Sequence, residues 1–350
     1  MVMNKRQKPI RIQVRPAGPG APVSVPREAS RAPAPPTPKI AQTPTFLGLV
    51  LEYRKIGDPV PWIEPLERAF LATDPVGTVR DATYTANQFT LLAKELVGVG
   101  SEHHETLMPQ GFGANFAFDV MHEFGAAPTS VPEFIRDRML FGTGYSDWNA
   151  YPEGLILPQG IQQLLKFRAH DSPAFIEGLN VQVWAFAAWR GYRIWPLGTV
   201  QPVQKTYDEL ARERYRLEPY PRNVTIPVNT DGTDTNAQLS FTEDYVIDGL
   251  SIHYPAADGL EQAHWGIDAP FIQFKIEPNA TPIMDKYVSL PLVGYNLRRT
   301  SWQFDIPLTV NVNTVWNFKV KTRFPAPLWA DTLGPIDVVI YGSKLYPGGK

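Results

Sequence analysis

Trp302-Gln303-Phe304-Asp305-Ile306, Val310-Asn311-Val312, Val315-Trp316-Asn317-Phe318-Lys319-Val320 and Val338-Val339-Ile340-Tyr341 alternate apolar and polar residues. Period-two stretches rich in β-branched and aromatic side chains predict half-buried strands. Pro325-Ala326-Pro327 and Leu333-Gly334-Pro335 separate them. Proline cannot donate to a central ladder, so these segments read as connections. The region 298–347 therefore reads as antiparallel β structure, and the rest of the chain is read outward from it.

The final strand runs into Gly342-Ser343-Lys344-Leu345-Tyr346-Pro347, and Gly191-Tyr192-Arg193-Ile194-Trp195-Pro196 follows the apolar run 181–189 in the same way. In both, a Gly is followed by a basic residue, a branched aliphatic, an aromatic and a Pro. A weaker echo relates 88–100 to 244–254. Internal repetition changes the whole fold assignment. The pattern suggests two related β-sandwiches in tandem; the plainer explanation is that any last strand can end in Gly and Pro.

At 350 residues the chain suits about two domains. Its 35 Pro, 26 Gly and 19% charged residues fit short strands joined by punctuated loops. The absence of Cys excludes disulfides, thiolate zinc sites and thiol nucleophiles. The net charge of −2 is unevenly distributed, because residues 1–40 carry eight cations against Glu28 alone. A basic leader on an acidic body points to a polyanion or an acidic neighbouring surface as its partner. No apolar segment follows Lys5-Arg6-Gln7-Lys8, and none approaches membrane-spanning length, so neither a signal peptide nor a membrane span is expected.

The expected organisation is mainly β, with two tandem β-sandwich or jelly-roll-like domains, a few short helices and a disordered N-terminal arm. Residues 1–45 form the arm, whose Pro-rich composition cannot offset its ordering entropy. Residues 46–200 form a first sandwich with helical insertions, 201–220 a charged helical linker and 221–350 the C-terminal sandwich. Strands are placed near 88–99, 114–121, 154–157 and 180–189, and in the C-terminal half at 224–228, 237–241, 245–247, 271–276 and 287–290. Helices are expected at 64–71, where Pro65 suits a first turn, at 132–140 and at 160–168. In the linker, acid-before-base spacing over Lys205 to Arg216 supports an exposed helix.

No strong catalytic pattern emerges. His103 and His104 are adjacent and diverge from one another on either a strand or a helix, so they read as a solvated loop rather than a metal pair. His122-Glu123 begins a zincin motif, but Ala126 stands where the second His is needed. His170-Asp171-Ser172 holds the residue types of a serine triad, yet consecutive residues cannot converge. Gly111-Phe112-Gly113 and Gly142-Thr143-Gly144 lack the third Gly, the Lys and the helix of a phosphate cradle. Asn223-Val224-Thr225 and Asn279-Ala280-Thr281 match glycosylation acceptors without a secretory signal. The aromatic residues mostly alternate along strands, as a sandwich core requires. Trp148, Trp265 and Trp329 lie among polar or Pro-rich neighbours and suit subunit contacts.

A basic Pro-rich arm leading into strand-dense sandwiches resembles a bacteriophage virion structural protein. Most of the resemblance lies in Arg323-Phe324-Pro325-Ala326-Pro327-Leu328-Trp329 followed by 336–346, which looks like the closing strands of β-sandwich proteins of phage heads and necks. It implies a non-enzymatic building block without cofactor or metal: a capsid shell, vertex or decoration component in the virion, made in the host cytoplasm. The implied partners are copies of itself, other virion proteins and packaged nucleic acid, the last through Lys5, Arg6, Lys8, Arg11 and Arg15. The rival readings are a carbohydrate-binding or receptor-binding module and a β-sandwich hydrolase whose His103, His122, His170, His253 and His264 meet in space.

Overall fold

The computed structural model describes residues 45–348 except 72, 86–88, 99–117, 125–126, 129–130, 132, 138–139, 141–149, 171–182, 200–202, 254–271, 279–282, 294–300 and 324–332. The arm, Trp148, Trp265, Trp329, His103, His104, His264 and both Gly pairs lie outside the described residues.

The first half begins with helix α1 (Phe46–Tyr53), capped by the Thr45 hydroxyl. Strands β1 (Gly57–Phe70), β9 (Val183–Pro196), β3 (Thr90–Gly98) and β7 (Ala150–Leu157) follow one another in one antiparallel sheet. The second sheet orders β2 (Val79–Thr85), β8 (Gln162–Ala169) and β4 (Phe118–Phe124), with β5 (Ala127–Pro128) and β6 (Ile135–Arg136) both paired to β4. With β5 and β6, which both pair with β4, counted as one strand, the sheets run first-eighth-third-sixth and second-seventh-fourth-fifth, which is a jelly roll. Inward side chains of both sheets, among them Trp189, Leu91, Phe167 and Val120, form one buried core.

Helix α2 (Tyr207–Arg212) follows, with a capping box between Thr206 and Glu209. The order then repeats. One sheet runs β10 (Arg216–Pro219) and β11 (Arg222–Ile226), β18 (Ile336–Tyr346), β13 (Tyr245–His253), β16 (Ser301–Val310); the other runs β12 (Thr235–Ser240), β17 (Val315–Thr322), β14 (Ile272–Pro278), β15 (Val288–Ser289). A short helix α3 (Leu290–Val293) continues from β15.

The repetition reaches single residues. In β3 the pairing with β9 shifts between Ala93 and Glu95, leaving Lys94 on a bulge; in β13 the pairing with β18 shifts between Ile247 and Gly249, leaving Asp248 there. Ala93 lies opposite Gly191, and Ile247 opposite Gly342. A Cβ on Gly191 would stand 1.9 Å from the Leu92 carbonyl oxygen, and one on Gly342 2.1 Å from that of Val246. The glycines therefore permit a close backbone approach at the bulge, and the strands continue through them rather than ending there. The echo between 88–100 and 244–254 is the pair β3 and β13.

Three expected helices differ from the structure. Residues 64–70 belong to β1, the longest edge of its sheet. The Ile63 N–H donates to the Ile283 carbonyl rather than to β9, so the odd-numbered positions of β1 turn their N–H groups away from the ladder. Pro59, Pro61 and Pro65 occupy such positions and remove no ladder bond, while blunting the edge. Residues 162–169 form β8, with Gln163, Leu165, Phe167 and Ala169 turned inward. In 132–140, Ile135–Arg136 pairs with β4, and helical backbone begins only at Asp137 rather than at Pro132. The linker helix is confined to Tyr207–Arg212, and Arg216 already opens β10.

The halves lock together within the chain. Val60, Ile63, Phe186 and Ala188 of the first half join the apolar cluster of the second, which contains Ile283 and Leu290. The Tyr192 hydroxyl accepts from the Ile306 N–H at 2.8 Å, and Lys94 Nζ lies 2.7 Å from both carboxylate oxygens of Asp305.

Candidate functional site

The described residues enclose a cleft of about 430 Å³ at the open end of the first jelly roll, roofed by the second half. Period-two geometry places Arg193 and Trp195 on the same inward face of β9, where they meet Trp62 and Glu64 of β1. The Arg193 guanidinium lies between two rings, 3.2 Å from the centroid of Trp62 and 3.8 Å from that of Phe89. It donates to Glu64 Oε2 at 3.0 Å, and the Trp62 indole N–H donates to the same oxygen at 3.0 Å. Lys286 Nζ reaches Glu64 Oε1 at 2.6 Å, and Asp285 stands 3.9 Å from Arg193. Trp62, Glu64 and Arg193 are buried, whereas Asp285 and Lys286 form an exposed rim with Thr83 and Thr85.

Burial lowers the pKa of Arg193, while Tyr84 and Glu64 oppose that effect. Burial raises the Tyr84 hydroxyl, beside the negative charge of Glu64. The site is a neutral, preorganised cluster of two acids and two bases walled by aromatic rings. Its individual residues carried no sequence motif. The available signal was the shared pattern Gly191-x-Arg193-x-Trp195 and Gly342-x-Lys344-x-Tyr346, in which a cation and an aromatic two residues apart must share one face.

The described histidines, His122, His170 and His253, do not converge. His122 is fully buried in the core of the first half, its ring 4.9 Å from that of Trp189 and Nε2 3.3 Å from Gln163 Oε1. His170 is exposed, with Nδ1 3.5 Å from Asp119, a carboxylate that also pairs with Arg168 at 2.7 Å. His253 is exposed at the end of β13. No group of three His, Asp or Glu side chains suited to a metal ion occurs among the described residues.

His122 makes stability pH-dependent. Burial pulls its pKa from 6.5 down to about 4, so protons bind the unfolded chain preferentially. Its contribution is complete above pH 6.5 and is lost as the pH falls toward 4, by about 3 kcal/mol in all. Urea denaturation between pH 7 and 4 will show this slope, and His122→Phe will flatten it.

No protein-family model and no curated protein matches this chain in sequence. Solved structures with a similar trace include the major capsid protein P2 of bacteriophage PM2, at 10% identity over 81% of this chain and 98% of that one, with a TM-score of 0.21. PBCV-1 VP54, fitted into a reconstruction of the virophage Sputnik, is 11% identical over 82% and 94%, with a TM-score of 0.21. The CUB1-EGF-CUB2 region of human MASP-1/3 is 10% identical over 80% and 99%, with a TM-score of 0.19. Likenesses at this level carry no argument about function. No helix among the described residues is long and apolar enough to cross a membrane.

Proposed function

We propose that the chain is a non-enzymatic structural subunit of a virus particle, of the bacteriophage type, which assembles with copies of itself. The observation that carries this reading is the front-to-back junction of the two jelly rolls. The outer face of the first sheet is covered by the second half, whereas the matching face of the second half is covered among the described residues only where Leu210 of α2 packs on Val246 and Leu345, and is accessible at Tyr341 and Asp337.

Aligning Gly191 with Gly342 makes the comparison residue by residue. Arg190 is 6% exposed and donates to the Val293 carbonyl across the junction; its counterpart Tyr341 is 43% exposed. Ile63 and Phe186, both buried at the junction, correspond to the exposed Pro221 and the half-buried Asp337. Lys94 pairs with Asp305 across the junction, while the corresponding bulge residue, Asp248, has one buried carboxylate oxygen without a hydrogen-bond partner. A polar face bearing tyrosine fits an interface that is soluble before assembly and buried after it. Repetition of the same contact between chains would use this face and the underside of the first half of a neighbour. Lys5, Arg6, Lys8, Arg11 and Arg15 would then supply cations for an acidic neighbour or packaged nucleic acid.

Native mass measurement tests the reading. The chain is expected to form a closed oligomer, and Tyr341→Glu, at an exposed position, to leave a folded monomer. A monomer at every concentration overturns it.

A further inference from the structure

We propose that the cleft between Trp195 and Asp285 binds a neutral saccharide. This inference does not depend on the assembly reading.

The chemistry of the walls selects the ligand. Phe89 and Trp195 are half-buried rings with centroids 5.3 Å apart and planes tilted by 41°, so part of each remains open to the cleft. Partly exposed aromatic surfaces pack against apolar ligand faces. Around them stand groups of every hydrogen-bonding type: the Asp285 carboxylate accepts, the Lys286 ammonium donates, and the Thr83 and Thr85 hydroxyls do both. A ligand satisfying them together needs many hydroxyls as well as apolar faces.

Charge narrows the class further. Glu64 and Asp285 offset Arg193 and Lys286, so no surplus charge remains to attract a phosphate, a sulfated glycan or a cationic peptide. The volume of about 430 Å³ lies toward the small end of ligand pockets, which span roughly 300–1,000 Å³. One or two sugar rings suit it. Glu64 and Arg193 are already fixed by each other and by Trp62, so little ordering cost is left for binding.

The second jelly roll supplies an internal comparison. At the positions of Trp62, Glu64, Phe89, Arg193 and Trp195 it has Tyr220, Arg222, Glu243, Lys344 and Tyr346. The cation-aromatic stack persists, with Lys344 Nζ 4.3 Å from the Tyr220 ring centroid. Glu243, in place of Phe89, pairs with Lys344 at 3.0 Å and accepts from the Tyr346 hydroxyl at 3.2 Å. The fold therefore needs the stack but not the additional rings. Phe89 and Trp195, with the roof formed by Asp285 and Lys286, set the first mouth apart.

The whole chain is to be screened on an array of neutral and charged glycans, and hits titrated calorimetrically with cello-, malto-, manno- and chito-tetraose. At least one neutral oligosaccharide is expected to bind. Trp195→Ala should weaken it by about tenfold and Asp285→Asn by about fivefold, with Tyr346→Ala at the sister mouth without effect. Asp285 is exposed, so its variant keeps the test valid even where Trp195→Ala fails to fold. Binding of charged glycans alone, no binding, or binding that survives Asp285→Asn undiminished overturns the proposal.

Discussion

Arg193→Ala is expected to lower the unfolding free energy by about 3–5 kcal/mol, because it strands a buried carboxylate. Glu64 is 1% exposed and accepts from two buried donors, Arg193 and Trp62; Lys286, on the rim, is its only other cation among the described residues. The variant also removes the group held between Trp62 and Phe89 and leaves a void there. Urea denaturation at pH 7 measures the loss. Replacing both partners, as Arg193→Met with Glu64→Leu, should recover most of it, since the uncompensated charge then disappears. A loss below about 1 kcal/mol in the single variant would place the ion pair among surface-like pairs and contradict the buried geometry.

Gly191→Ala and Gly342→Ala should each cost about 3 kcal/mol or more, through one mechanism acting twice. The new methyl group meets a backbone carbonyl oxygen at about 2 Å in either half, and a backbone oxygen on a paired strand cannot swing aside as a side chain can. The bulges at Lys94 and Asp248 must therefore open. Paired thermal or urea melts of the two variants check the prediction. A neutral result in one half and a large loss in the other would contradict the equivalence of β9 and β18.

Much of the second half was legible in sequence because its strands, such as Val315–Thr322, have one wet and one buried face, so alternation survives in the residues. In the first half β3, β7 and β9 coincide with the strands expected near 88–99, 154–157 and 180–189, whereas β1 and β8 were concealed. β1 is buried along most of its length, with Gly57–Glu64 all inaccessible between its own core and the second half, so no polar alternation remains to be seen. Its prolines suggested a helical first turn, whereas their spacing of two and four residues matches the outward N–H positions of an edge strand. β8 carries Leu164 next to Leu165, a doublet that blurs a period of two, although only Leu165 enters the core. The repeat was visible through Gly191 and Gly342, but their role was not, because the close approach involves a backbone oxygen on another strand. The cleft joins Glu64, Arg193 and Asp285 from three distant stretches. No local pattern brings such residues together; the sheet order does.

Hydroxyl-radical footprinting across a concentration series tests the central claim, that a face used within the chain is used again between chains. Tyr341 should be labelled freely in dilute solution and become protected on association, while Tyr207, 40% exposed at the start of α2, serves as the comparison within the same chain. Unchanged labelling of Tyr341 at every concentration would contradict the account.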